Sequence, residues 1–329
     1  MSFTKCPGCG NLLEKKHVET YISLFNDQEY KLYYCPNCDL QWWEPLKIIP
    51  EFYEMEGDEG YELFHMGLRE EIGENHKMFF KYIPLKSGRL LDVGCGDGVF
   101  LKEAQKAGFE VWGIDFDSKS IKVCQEKWGL KNTFAMSPQE FADFCQKEGL
   151  KFDVITFFEV LEHQDKPVEF LEAIKSMLKP GGYIAGSVPN RESLLLKMDR
   201  KVRPVVDFPP HHFLRFSSTA LYNYMKELGF NIINIIASKT KLNDAIAGTQ
   251  MYITGKKLHQ FMQKKLIGCI PAEVGDRVYK EIYSRLPILR KLTVKSLKTL
   301  RFLLLLPFAA YIKLTSPGIY LYFQASSKG

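Results

Sequence analysis

Apolar and polar positions follow two different periods along this chain, and each change of period marks an element. Short runs rich in β-branched and aromatic residues occur at 89–93, 110–114, 132–136, 152–160, 183–188 and 231–238, with helical patterns at 99–107, 118–127, 166–178 and 218–228. Strands that alternate with helices predict a mainly parallel sheet with helices on both faces, an α/β architecture. From about 240 to 315 no strand of comparable clarity appears. The chain then offers Gly318-Ile319-Tyr320-Leu321-Tyr322-Phe323-Gln324-Ala325, a strong strand read as the last member of the sheet. The stretch before it is therefore expected to be a helical insertion. Residues 52–80 read as an acidic helix with Gly57 and Gly60 as a flexible joint. The expected organisation is a cysteine-rich module at 1–50, a linker helix at 51–88, a core at 89–240, a basic helical insertion at 241–315 and a final core strand at 316–329.

Composition narrows the class without changing this picture. At 329 residues, 46% apolar and 25% charged, the chain has the balance of an ordinary globular protein with one core of about 150 to 200 residues and smaller appendages. That balance excludes disordered and membrane-spanning classes. The start of the sequence has no basic stretch leading into an apolar run, so a cytoplasmic location with reduced thiols is expected. Charge is placed unevenly. The net charge is +5, yet 256–301 carries twelve Lys and Arg against Glu273, Asp276 and Glu281, a local +9, which leaves the rest at −4. Such asymmetry points to a basic element facing nucleic acid, phospholipid or a phosphorylated substrate.

Candidate chemistry begins after the first core strand. Asp92-Val93-Gly94-Cys95-Gly96-Asp97-Gly98 puts three glycines between a buried strand and a helix, where backbone must turn tightly and approach a ligand closely. Dinucleotide sites also place glycines there, but their pattern requires Gly or Ala three residues after Gly96, where this chain has Val99. Asp115 ends the next strand about 20 residues on, placed to bind ribose hydroxyls. The block from Phe152 through Phe158-Glu159-Val160-Leu161-Glu162-His163, followed by Leu178-Lys179-Pro180-Gly181-Gly182-Tyr183, separates the nucleotide classes.

In these blocks the chain resembles class I S-adenosylmethionine-dependent methyltransferases of the ubiquinone-biosynthesis and sugar-methyltransferase type. The resemblance covers about 85–240 and the final strand, with four motifs in order. It implies a Rossmann-like methyltransferase sheet with S-adenosylmethionine as cofactor. Asp92, Gly94, Gly96 and Gly98 would hold its methionine end, with Cys95 and Glu159 in the same site. Asp115 matches the ribose acid, and Phe116 would lie beside the adenine. Many relatives place an acid at Ala135-Met136-Ser137; here Ser137 or backbone groups would substitute.

The acceptor side is expected in Phe208-Pro209-Pro210-His211-His212-Phe213, a loop after the fifth core strand that the resemblance ties to the substrate face. Either histidine there has the pKa of a general base or anchors the loop, and His163 is the next candidate base. Glu162 and His163 also read as closing the sheet and capping the next helix beside Asp165 and Pro167. Adenine amino methylation is disfavoured, because Phe158-Glu159-Val160 stands where an Asn-Pro-Pro-Tyr type motif belongs.

Two further features lie outside the core. Cys6-Pro7-Gly8-Cys9 and Cys35-Pro36-Asn37-Cys38 are two turns that each aim two thiolates at one ion. Four sulfurs suit structural zinc in a small ribbon, with rubredoxin-like iron as the alternative. Similar ribbons precede some sugar and ribosomal RNA methyltransferases. At 287–306, Leu289, Leu292, Leu300 and Leu303 share one helical face opposite Arg290, Lys291, Lys295, Lys298 and Arg301. The apolar stretch 302–312 is broken by Pro307 and falls short of the ~20 residues of a membrane span. The segment 287–312 is read as lying on a membrane surface, capping a lipid-like substrate, or packing on the core.

The expected function is methyl transfer from S-adenosylmethionine to a small or carrier-linked metabolite, such as a sugar, glycan precursor or lipid-like acceptor, with histidine-assisted deprotonation. An RNA methyltransferase that grips RNA through ribbon and basic helices is the alternative, and a non-catalytic cofactor-binding scaffold is the third reading.

Overall fold

The computed structural model describes residues 3–49, 52, 69, 71–203, 207–267 and 288–327; within 256–301 it describes the side chains of 296, 299 and 300 alone. Residues 53–68 of the expected linker helix, 268–287 of the insertion and Cys269 lie outside the described residues. The chain divides into two compact units. One comprises 1–191, 208–238 and 320–329, and the other 192–207 and 239–319.

The first unit opens with five short strands: β1 (Phe3–Lys5), β2 (Leu12–Glu14), β3 (Glu19–Ile22), β4 (Glu29–Tyr34) and β5 (Gln41–Glu44). Helix α1 (Glu74–Tyr82) follows. The core then runs β6 (Gly88–Val93), α2 (Val99–Lys106), β7 (Phe109–Asp115), α3 (Ser118–Trp128), β8 (Thr133–Ala135), α4 (Pro138–Glu148), β9 (Phe152–Phe158), α5 (Pro167–Met177) and β10 (Leu178–Pro189). In the second unit, α6 (Leu194–Val202) precedes the loop strand β11 (Leu214–Arg215), α7 (Ser218–Glu227) and β12 (Phe230–Ala237) of the first. The second unit resumes with α8 (Leu242–Ile267) and α9 (Ile288–Thr315), and β13 (Tyr320–Ser327) returns to the first.

Seven strands form one sheet in the order β12-β13-β10-β9-β6-β7-β8. The core strands pair in parallel, and β13 alone runs antiparallel between β10 and β12. The central strands are near-continuous apolar runs because both faces are covered, and in β9 every residue but Asp153 is buried. On one face, Leu91, Val93, Ile155 and Phe157 pack with Phe170 and Ile174 of α5. On the other, Leu90 and Val154 pack with Phe79 of α1 and with Phe100 and Ala104 of α2.

Helix α4 was not legible in the apolar pattern, although its start signal was. Ser137 accepts the Glu140 N–H while the Glu140 carboxylate accepts the Ser137 N–H, a capping box reinforced by Pro138 at the first helical position. Helix α6 was also missed, and its residues 192–207 belong with the insertion rather than the core.

The ribbon is bound into the first unit. Its sheet has the order β11-β5-β4-β3, so the fourth strand comes from the histidine loop. Cys6, Cys35, Cys38, Leu40 and Trp42 share a buried cluster with Leu221 and Tyr224 of α7. Within the second unit, Leu195, Ala245, Ile246, Ala309 and Ile312 form a separate buried cluster.

Candidate active site

The glycine loop is built around left-handed backbone. Gly94, Gly96 and Gly98 have φ of 76°, 52° and 78°, values that side-chain-bearing residues rarely adopt. A Cβ on Gly94 would lie 2.5 Å from Cγ2 of Val160, and one on Gly98 2.8 Å from Sγ of Cys124. The loop therefore has room for backbone alone. Cys95 is buried and its thiol faces Gly113, where an added Cβ would come within 2.9 Å. Cys95 thus lies in the loop with its thiol turned into the core.

Acidic groups gather at the carboxyl ends of the strands. Asp92 is buried and accepts the Thr156 hydroxyl at 2.6 Å; burial pushes its pKa up to about 8. Asp115 accepts the Gly96 N–H at 2.9 Å and the Asp117 N–H at 3.0 Å, which braces the loop. Burial raises its pKa to about 6. Glu159 has φ 55°, an unusual value for a residue other than glycine. It accepts the Ser187 hydroxyl at 2.6 Å, and burial raises its pKa to about 7. The buried Asp92 and the partly buried Asp115 and Glu159 stand around a loop open only to backbone, and as carboxylates they fit the cationic methionine end and ribose hydroxyls of S-adenosylmethionine. Phe116, beside Asp115, is 63% exposed. Ser137 does not fit its expected role at the adenine, because its hydroxyl caps α4.

Sequence reasoning missed several groups here. Arg69 donates from Nε to Asp97 Oδ2 at 2.9 Å, and Asp97 is fully buried in the loop. Asn75 donates to the Ser187 hydroxyl at 3.2 Å and so joins the Glu159 network. Both lie in the stretch whose sequence gave only a helical pattern, with no spacing to mark them.

The three expected histidines come together. Ring centroids of His163, His211 and His212 lie 4.4 to 4.7 Å apart. Their candidate donor atoms all fall within 4.8 Å of one another. His163 follows β9 by five residues, in a 3-10 turn at 161–163 next to the Val160 that abuts Gly94. Its Nδ1 lies 2.6 Å from the His211 carbonyl oxygen. A carbonyl only accepts, so Nδ1 carries the proton and Nε2 the lone pair. Glu162 is not a helix cap. It is fully buried, with Oε1 3.9 Å from Nε2 of both His163 and His212. Burial holds the pKa of His163 down to about 4 and those of His211 and His212 well below the ordinary value. All three rings are therefore neutral at neutral pH, and Glu162 stands where it would stabilise a proton taken up by the cluster.

The ribbon fixes this loop. Leu214 and Arg215 pair with Trp42 and Gln41, the Trp43 N–H donates to the Phe213 carbonyl at 2.9 Å, and the Phe213 N–H donates to that of Glu162 at 2.8 Å. Arg191 and Ser217 both bind Asp39 of the second cysteine turn. The cysteine sulfurs fit a single ion. Cys6 and Cys38 lie 3.5 Å apart, Cys9 and Cys35 3.6 Å apart, and all four within 4.8 Å. Tetrahedral ligands ~2.3 Å from zinc leave edges of about this length.

Sheet order, glycine loop and carboxylates together define a class I methyltransferase fold with a site suited to S-adenosylmethionine. A family model described as a methyltransferase domain matches residues 64–235, just over half of the chain. The chain belongs to this family. Ubiquinone biosynthesis O-methyltransferases are similar to it: that of Bordetella avium is 34% identical over 110 residues, 32% of this chain and 45% of that one. The enzyme of Actinobacillus pleuropneumoniae serotype 7 is 37% identical over 110 residues, 31% of this chain and 46% of that one. The chain thus spans less than half the length of these relatives. A chain of the complex between the Haloferax volcanii Trm112 methyltransferase activator and the putative methyltransferase is similar in fold. It has a TM-score of 0.50 at 12% identity and covers 84% of this chain and all of that one.

Proposed function

We propose that the protein transfers a methyl group from S-adenosylmethionine to a hydroxyl of a small or carrier-linked metabolite, with the histidine cluster receiving the hydroxyl proton. The observation that supports this reading is the gathering of His163, His211, His212 and Glu162 into one cluster, at the turn that follows the Val160 facing Gly94. Bound S-adenosylmethionine supplies an electrophilic methyl group on a sulfonium, so the chain's own tasks are alignment, exclusion of water and removal of a proton. Asp92 and Glu159 would hold the methionine end and Asp115 the ribose.

Within the cluster the roles divide by direction. His163 spends Nδ1 on the His211 carbonyl and turns Nε2 toward Glu162, and His212 also turns Nε2 toward Glu162. His211 is half-buried, and we assign it the contact with the acceptor. The hydroxyl proton passes to His211, and the Glu162 carboxylate stabilises the resulting positive charge. The ubiquinone-pathway relatives are named as O-methyltransferases, which supports a hydroxyl acceptor.

The test supplies methyl-labelled cofactor and fractionated extract to the protein and to H211A. Label is expected in a lipid, glycan or small-molecule pool, and H211A should lose roughly 10²-fold in turnover or more with cofactor affinity kept. Label in RNA alone, or full turnover by H211A, overturns the reading.

A further inference from the structure

The second unit carries an apolar face that its own core does not use. Along α9, Leu305, Ala309 and Ile312 recur at helical spacing and join the buried cluster with Leu195, Ala245 and Ile246. On the opposite side, Leu300, Leu303, Leu304, Phe308, Tyr311 and Leu314 also recur every three or four residues, and all are 54 to 83% exposed. These positions span ~21 Å of helix and include no charged side chain. Leu300 and Leu303, two of the four leucines that share a face in the sequence pattern, are thus exposed.

An outward apolar strip of this length marks an interaction surface. The surrounding charge selects the partner. The sequence leading into the strip, 256–301, carries a net +9, and Lys313 is exposed near its end. An apolar strip with a basic flank is complementary to anionic headgroups above acyl chains, whereas a protein partner would have to match a broad positive charge with acids of its own. Spanning is not at issue: among the described residues no helix is long and apolar enough to cross a membrane.

We infer that α9 lies in the plane of an anionic phospholipid surface, with Leu300, Leu304, Phe308 and Tyr311 among the upper acyl chains, where the net positive charge of the sequence leading into the strip favours anionic headgroups. The inference rests on the second unit alone and is independent of the methyl-transfer reading.

Sedimentation of the full chain with vesicles tests it without cofactor or acceptor. Binding is expected to vesicles of phosphatidylcholine with about a third phosphatidylglycerol, and to be at least roughly tenfold weaker on phosphatidylcholine alone or in high salt. L304S with F308S should weaken binding to the mixed vesicles by roughly tenfold or more. Both side chains are exposed, so thermal melting should be unchanged; Y311S with L314S provides an independent second pair. Wild-type protein that stays in solution with the mixed vesicles, or two variant pairs that bind like wild type, overturns the inference. So does a concentration-dependent dimer that the same substitutions abolish in the absence of vesicle binding, which would assign the strip to a second copy of the chain.

Discussion

At Gly94 a single methyl group decides whether the cofactor loop can form. An alanine there meets Cγ2 of Val160 and must hold φ near 76°. Strain of this kind costs on the order of 1–3 kcal/mol before any overlap. G94A is therefore expected to melt earlier and to lose cofactor affinity, and G94A with V160A should recover only the part due to overlap. Chemical denaturation with a cofactor titration measures both. Glu162 acts at the same scale but through other groups. E162Q keeps the size and removes the charge, so it should lower turnover while leaving cofactor affinity within about twofold, and, because the imidazolium loses its stabilising carboxylate, it should move the acid limb of the activity profile to lower pH. An unchanged profile with normal turnover would remove Glu162 from the mechanism. The sequence marked the histidines and the glycines because each residue type is rare in its setting. It did not mark Glu162, because a glutamate before a histidine in a turn reads as a cap until its distance to His212 is known.

The ribbon, as an element, holds the histidine loop. Its sheet takes β11 as a fourth strand, and Asp39 is tied to both Arg191 and Ser217. Removing a metal held by Cys6, Cys9, Cys35 and Cys38 should therefore reach the acceptor side of the site before the cofactor side. With a strong chelator, or with C6S and C38S, hydrogen exchange is expected to rise across 208–217 and turnover to fall at least roughly tenfold, while cofactor affinity stays within about threefold. Loss of cofactor binding in step with turnover would show that the ribbon supports the whole unit instead. The two cysteine turns were legible from spacing alone, since their chemistry is local. Their coupling to the loop was not, because a pairing such as Leu214 with Trp42 depends on tertiary approach. The Ser137 to Glu140 capping box shows the converse: its signal is local, a serine three residues before a glutamate with Pro138 between them, and it is readable without tertiary structure.

Over the whole molecule, buried ionisable groups set opposing pH trends. Asp92, Glu159 and Asp115, pushed up to about 8, 7 and 6, bind protons more tightly folded than unfolded. Their contribution to stability is full below their ordinary values and is lost as pH rises through 6 to 8. The histidines act in the other direction. Burial holds His76 down to about 3, His163 to about 4, and His211 and His212 well below 6.5. The unfolded chain takes up those protons as pH falls below about 6.5, so stability is lost on that side as well. The unliganded protein should be most stable at roughly pH 6 to 7. The melting shift given by S-adenosylmethionine should grow from pH 6 to 8 as the carboxyls ionise toward a cationic ligand. Scanning fluorimetry across pH, with and without cofactor, checks both, and a shift constant over that range would count against the carboxyls as ligands.

The position of β13 also has a consequence for synthesis. It fills the gap between β10 and β12, yet Tyr320 is made 82 residues after its partner Ser238. At ~5–20 residues per second, a nascent chain spends on the order of ten seconds with β12 already emerged and no strand to join it to the sheet. During that interval both flanking strands expose unpaired backbone, a template for pairing with another chain. A ribosome that stalls anywhere within the insertion would leave that template open.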